Sequence, residues 1–323
     1  MNATSTRLED SPTAAAEPAI RVHALHKSYA DTEAVRGIDL DVRRGEIFAF
    51  LGPNGAGKTT TVDILEGFRP RSDGHVSVLG VDPAQATRAW RDRIGIVLQE
   101  SAPDPGLTVR ESLELYAGYY SNPRAIPETI ALVGLAGKDT RQATSLSGGE
   151  RRRLDFGLAL IGDPELIFLD EPTTGFDPSA RRTAWDVIDD LRGLGKTIFL
   201  TTHYMDEAER LADRIAVIVA GQIVAEGTPL TLGGRNEAPS TIAFTLRPRH
   251  SAVELPDSLR ELAETHTGGR LVLHSDTPLA HLALLDEWAR ANTVALTDLE
   301  VTRPTLEDTY LTLTRNTKQG DHR

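Results

Sequence analysis

The 323-residue sequence has no cysteine, two methionines and three tryptophans, and no apolar run near the ~18 residues that a membrane span needs. Without cysteine there are no disulfides, no thiolate chemistry and no Cys-ligated zinc. The N-terminus also lacks the charged-then-apolar layout of a signal peptide, so the chain is expected to be cytosolic or peripheral to a membrane. Lysine is scarce, with five among 35 basic residues, and the balance is acidic at −12 with a pI near 5.3. Nucleic-acid partners call for a basic face, so none is expected. What remains, 40% hydrophobic and 25% charged residues, is ordinary globular composition. The length suffices for about two domains.

The stretch Gly52-Pro53-Asn54-Gly55-Ala56-Gly57-Lys58-Thr59-Thr60 fits the phosphate-loop pattern of Gly, four residues, Gly, Lys and Ser or Thr. Its flanks agree. Ile47 to Leu51 is a short apolar run suited to a buried strand, and Lys58 to Phe68 reads as a helix closing on Gly67. Glycines let backbone N–H groups turn inward around a polyphosphate, and the helix N-terminus adds partial positive charge to the same spot. Lys58 brings a full charge to the β- and γ-phosphates, and the Thr59 hydroxyl can ligate magnesium, a hard cation that shares oxygen ligands with phosphates.

Residues 1–19 are rich in Ala, Ser, Thr and Pro without periodicity and read as a disordered leader. Alternation at Ile20, Val22 and Ala24 opens a strand, and residues 40–51 give two more around the turn at Arg43-Arg44-Gly45. Tyr29 falls in the loop that follows the first strand, where an aromatic face can stack on adenine or lie as half-buried surface. Gly74 to Leu79 and Ile94 to Leu98 read as strands, and Gln99 follows the second. Ligands of open α/β sheets bind at carboxyl ends of strands, which places Gln99 to see metal or water, or on plain surface. From residue 101 the character becomes helical: Thr108 and Glu111 make a capping box, and Leu113, Tyr116, Ala117 and Tyr120 form a stripe that either packs internally or receives a partner helix.

Leu146-Ser147-Gly148-Gly149-Glu150 precedes a helix to Ile161, and a Ser with two glycines at a helix N-terminus offers a second anion surface. This pentapeptide resembles the signature of ATP-binding-cassette (ABC) ATPases, and its distance from the phosphate loop is similar to theirs. The resemblance implies a P-loop NTPase α/β core with antiparallel β and helical subdomains, over residues 20–232, the helical part spanning about 101–161. Further family motifs follow in order. Leu166 to Leu169 reads as a buried strand that delivers Asp170 for magnesium and Glu171 for orienting or deprotonating the attacking water. Gly175-Phe176-Asp177-Pro178 resembles the loop that passes between subunits, with Phe where Leu is more usual, and Asp177 also reads as a helix N-cap. His203, at the end of the strand Thr197 to Thr202, resembles the switch histidine that contacts the γ-phosphate. The resemblance assigns Tyr29 to adenine stacking and Gln99 to the metal and attacking water. One departure is Glu150 where Gln is usual: a carboxylate near a triphosphate repels it unless Arg151, Arg152 or Arg153 compensates.

Residues 233–239 read as a linker, 240–315 as a small α/β domain and 316–323 as a tail. The run Pro304-Thr305-Leu306-Glu307-Asp308-Thr309-Tyr310-Leu311 is similar to the carboxyl end of daunorubicin-resistance-type exporter ATPases. The resemblance implies an ATP- and Mg2+-dependent exporter subunit at the cytoplasmic face of the membrane. A separate permease and a second copy of the chain, sandwiching ATP, would be its partners. A soluble cassette ATPase serving cofactor assembly or nucleic acid is the alternative.

Overall fold

The computed structural model describes residues 17–98, 104, 106–246, 255–266 and 269–320, with side chains through residue 315. Gln99 and nearly all of the stretch read as a leader lie outside the described residues. In chain order, β1 (Ile20–Tyr29), β2 (Thr32–Val42) and β3 (Ile47–Leu51) lead to α1 (Lys58–Leu65), β4 (Asp73–Val78), α2 (Arg88–Arg91) and β5 (Ile94–Val97). Next come α3 (Val109–Ala117), α4 (Ile126–Leu132), α5 (Gly148–Leu160), β6 (Leu166–Asp170) and α6 (Pro178–Gly193). Then β7 (Thr197–Thr202), α7 (Met205–Leu211), β8 (Arg214–Val219) and β9 (Gln222–Gly227) follow. The chain closes with β10 (Ser240–Thr245), α8 (Asp257–Arg260), β11 (Ala263–Thr265), β12 (Arg270–Ser275), α9 (Pro278–Ala291), β13 (Thr297–Thr302) and α10 (Leu306–Gly320).

Two compact units form, one from residues 1–46 with 59–199 and one from 47–58 with 200–323. In the first unit β2, β1 and β4 make an antiparallel sheet, with Ile20 opposite both Val42 and Val78. Parallel β5 and β6 run in register from Ile94 opposite Leu166 to Val97 opposite Leu169, so their carboxyl ends finish level. Helices α3, α4 and α5 pack around Gly157, where an added Cβ would lie 3.3 Å from Leu113 and 3.6 Å from Val133. The capping box expected at Thr108 forms: the Glu111 N–H donates to Thr108 Oγ1 at 3.2 Å, and the Thr108 N–H donates to Glu111 Oε2 at 2.8 Å. The helix it starts is shorter than the aromatic spacing implies, because α3 closes at Ala117 with Gly118 as its cap and Tyr120 lies in the turn beyond. Tyr29 is also shifted, from the expected loop to the last residue of β1, opposite Thr32.

In the second unit β3 runs parallel to β8, and β9 pairs antiparallel with β8. A separate antiparallel sheet, ordered β11-β12-β10-β13, buries Ile242, Phe244, Leu271 and Leu273 against Leu285 and Trp288 of α9. The sequence reading places 240–315 in one small domain, yet α10 packs elsewhere. Leu306, fully buried, joins Ala49, Leu51, Ile215 and Val217, with Tyr310 and Leu313 beside them. The helix also runs on through residue 320, across most of the stretch read as a tail. Its start is fixed from the other side of the small sheet: Arg235 donates from Nε to the Pro304 carbonyl at 2.6 Å and from Nη1 to the Pro229 carbonyl at 2.8 Å.

The small sheet is thus an insertion with neighbouring ends and a core of its own. Replacing residues 240–303 by a short Gly-Ser link should leave α10 seated. Ending the chain at Pro239 removes Leu306 and Leu313 from the core under the phosphate loop and should lower the melting temperature by on the order of 10 °C. Equal melting of the two shortened chains would show that α10 contributes nothing to that core.

Candidate functional site

The phosphate loop leaves β3, whose five residues are all buried, and turns at Gly52 against β8. A Cβ there would sit 2.4 Å from the Ile218 carbonyl oxygen, so no side chain fits. Gly55 and Gly57 hold φ of 79° and 106°, the left-handed region that glycine enters without steric cost. These are the conditions for a backbone cradle around phosphate oxygens. The loop is tied down by the Ala56 N–H donating to Pro53 O at 3.2 Å and the Gly221 N–H donating to Ala56 O at 2.9 Å. Lys58 is buried, and its ammonium lies across the loop, donating to the Gly52 carbonyl at 2.6 Å and the Pro53 carbonyl at 3.2 Å. Thr59 and Thr60 follow in the first turn of α1.

In the first unit, Ser147 caps α5 and accepts from the Glu150 N–H at 3.3 Å, while Glu150 Oε2 accepts from the Ser147 N–H at 2.7 Å. This second capping box was present in the sequence as Ser-x-x-Glu, the same pattern as Thr108 to Glu111. Compensation for Glu150 does not come from the arginines that follow it. Its other oxygen takes the Lys138 ammonium, and that pairing, with the Ser147 N–H, drops the carboxyl to about 2. Arg151 and Arg152, one and two positions on, point away around the helix, and Arg153, three positions on, lines the cleft instead, while the loop after α4 reaches Glu150 from the same end.

Arg152, which sequence reasoning did not single out individually, is nearly buried and reaches three main-chain carbonyls. It donates to Pro172 O at 3.0 Å, to Asp170 O at 3.3 Å and to Leu98 O, and lies 3.8 Å from the Asp155 carboxylate. One guanidinium therefore fixes the chain just before Gln99 and on both sides of Glu171. A mid-helix arginine carries no sequence mark of such a task.

Asp170 ends β6, and Glu171 follows with φ 45°, an uncommon backbone state for a residue with a side chain. Thr174 Oγ1 donates to Glu171 Oε2 at 3.1 Å. Asp177 caps α6, accepting from Ser179 N–H at 2.8 Å and Ala180 N–H at 2.9 Å, as its sequence position implies. Ala180 meets Gly149, whose added Cβ would lie 3.5 Å away, so Ser147, Gly148, Gly149 and Asp177 line one open cleft of about 470 Å³. His203 follows β7 and its ring lies 4.1 Å from that of Tyr204. Tyr29 is 38% exposed, with the Lys27 ammonium 5.0 Å and the Arg69 guanidinium 5.4 Å from its ring centre. An aromatic face flanked by two cations suits a base joined to phosphates. Among the described residues, no three His, Asp or Glu side chains converge on a metal position.

Residues 35–174 match the family model of the ABC transporter, and residues 240–305 match that of the ABC transporter domain-containing protein-like, C-terminal domain. The Nod factor export ATP-binding protein I of Rhizobium johnstonii is 36% identical over 326 residues, covering 94% of this chain and 98% of the relative. The chain belongs to the ABC transporter family. As an ABC cassette it is an ATPase subunit. The daunorubicin resistance ATP-binding protein DrrA3 of Streptomyces coeruleorubidus shares 43% over 219 residues, 66% of this chain and 68% of its own. Among solved cassettes, cbiO1 of Clostridium perfringens, part of the ABC transporter complex cbiONQ, superposes with a TM-score of 0.60 at 28% identity, over 66% of this chain and 90% of that one. A cassette solved as a post-hydrolysis dimer with ADP and phosphate gives 0.58 at 24% over 65% and 98%, a likeness of fold.

Proposed function

We propose that this cassette powers an exporter by binding and hydrolysing ATP as a pair of copies attached to a separate permease at the cytoplasmic membrane face. The observation that carries the reading is the 94% span of similarity to an export ATP-binding protein, which includes the small carboxyl sheet. A soluble cassette for cofactor assembly would leave that sheet without a task. Lys58, the loop glycines and Thr59 would hold the phosphates, Tyr29 the adenine, and Thr59, Gln99 and Asp170 the magnesium. Bound magnesium would neutralise charge on the phosphates. Ser147, Gly148, Gly149 and Glu150 of the second copy would close on the γ-phosphate, with Asp177 beside them. Glu171 would take the proton of the attacking water, and His203 would steady the γ-phosphate.

No helix of the described residues is long and apolar enough to cross a membrane, so a permease would supply the spans. The first unit offers a place for it. A groove of about 320 Å³ is lined by Phe68, Ile96, Leu98, Tyr116, Tyr120 and Leu158, with Phe68 67% and Leu98 49% exposed. At its wall, burial and then the nearby Asp63 and Asp170 carboxylates push Glu66 up to about 8, so this acid is mostly neutral at pH 7. Arg91 and Asp155 also line the groove, so the seat is apolar with charged edges. Tyr116→Glu with Leu98→Asp should abolish co-purification with the permease while ATP affinity stays within about threefold, since two carboxylates in place of apolar side chains must be desolvated when a partner covers the groove. Undiminished co-purification would remove the groove from the interface, and a permease-free complement of transport would sink the exporter reading itself.

A further inference from the structure

We infer that Lys138 is a positioning residue that neutralises the Glu150 carboxylate and so sets how tightly the Ser147 end of α5 accepts nucleotide presented by a second copy. This rests on the paired-copy reading above. The charge balance at this helix end can be written from its parts. The N-terminus of α5 carries roughly half a positive charge from its aligned peptides. Glu150 adds a full negative charge at the same helix end, where its carboxylate accepts from the Ser147 N–H at 2.7 Å. Left alone, that end would repel a triphosphate. Lys138 restores the sign.

Lys138 is built into place for this, unlike a lysine free on the surface. Gly134 and Gly137, with φ of 67° and 76°, turn the chain after α4. The Lys138 N–H donates to Leu135 O at 3.0 Å, and its carbonyl accepts from the Arg141 N–H at 3.0 Å. The next residue, Asp139, is pinned to α3 by Arg110, through the Arg110 N–H to Asp139 O at 2.9 Å and a guanidinium contact at 3.0 Å. Glu150 is correspondingly enclosed, its side chain 12% exposed against 33% for Lys138. Other cations do not substitute: Arg151 is exposed, Arg152 is spent on main-chain carbonyls, and Arg153 lines the cleft without an ion pair to Glu150.

The test is the concentration of adenylyl imidodiphosphate, with magnesium, that gives half-maximal dimer by light scattering of the full chain. Lys138→Met should raise it about tenfold, the scale of one uncompensated charge a few ångströms from phosphate at a partly wet site. In a Glu150→Gln background the same change should raise it less than about twofold, since neighbours that act through each other do not add. The tenfold gap should also narrow at about 1 M salt, where the screening length falls to about 3 Å. Lys138→Arg, which keeps the charge, should stay within about threefold of the parent. An equal shift in both backgrounds, an Arg variant as weak as the Met variant, or no shift at all overturns the inference. A parental chain that never dimerises with the analogue instead overturns the paired-copy reading, and this inference with it.

Discussion

Lys58→Ala should lose ATP affinity by more than about a hundredfold, because a charge-assisted hydrogen bond to a phosphate at a buried position contributes about 1.5–3 kcal/mol and the counter-charge of a triphosphate goes with it. The side chain is held in the loop by two carbonyls, at 2.6 and 3.2 Å. Those contacts orient the ammonium before nucleotide arrives, so little ordering is left to oppose binding. Alanine removes the charge and also leaves the Gly52 and Pro53 carbonyls without that donor. Lys58→Arg should not rescue it, since a wide planar fork does not match a point charge packed among glycines. Titration with a fluorescent ATP analogue reads the effect, and circular dichroism separates it from unfolding. Parental affinity in Lys58→Ala would mean that the loop binds phosphate through backbone N–H groups alone.

Much of this was legible because it is local. A strand, a glycine loop and a helix are contiguous in sequence, and the Thr108 and Glu111 box, the Asp177 cap and the turn at Gly45 each depend on residues within four positions. What the sequence did not disclose depends on separations it cannot measure. Lys138 lies twelve positions before Glu150 and meets it only because the loop after α4 folds back. Arg152 reaches carbonyls of Leu98, Asp170 and Pro172, and a carbonyl has no letter in a sequence. The α10 stripe of Leu306, Tyr310 and Leu313 reads as the edge of a small domain, but the core it completes belongs to β3 and β8. A periodic apolar face says that something covers it and not what. The aromatic spacing misled in the same way, since Tyr120 keeps helical register with Tyr116 past the point where Gly118 ends α3.

The left-handed backbone at Glu171 has no sequence signal either, and it bears on the chemistry. A non-glycine residue in this region costs on the order of 1 kcal/mol or more, and persists only when its surroundings hold it there. Here they do so from both sides, through the Arg152 bonds to Asp170 O and Pro172 O and the Thr174 hydroxyl on the carboxylate. The acid is thus presented on a braced turn at the end of a buried strand.

Glu171→Gln should accordingly bind ATP about as well as the parent, hydrolyse it about 10²–10⁴-fold more slowly, and accumulate as a closed dimer. The amide nearly matches the carboxylate in shape, so the Arg152 bonds to the neighbouring carbonyls remain and the backbone at residue 171 keeps its form. Thr174 can still donate to the amide oxygen. What is lost is the capacity to accept a proton from water, which an amide lacks at any working pH. Positioning survives and base catalysis does not. If chemistry becomes slower than opening, the nucleotide-bound pair is the species that builds up, visible by light scattering as a doubling of mass with ATP and magnesium. Lys58→Ala should show no such doubling, because it fails one step earlier. The two variants therefore place a wedge between binding and chemistry. Near-parental turnover in Glu171→Gln, measured where Lys58→Ala is inactive, would exclude Glu171 as the base and transfer the role to His203, which its substitution would then test.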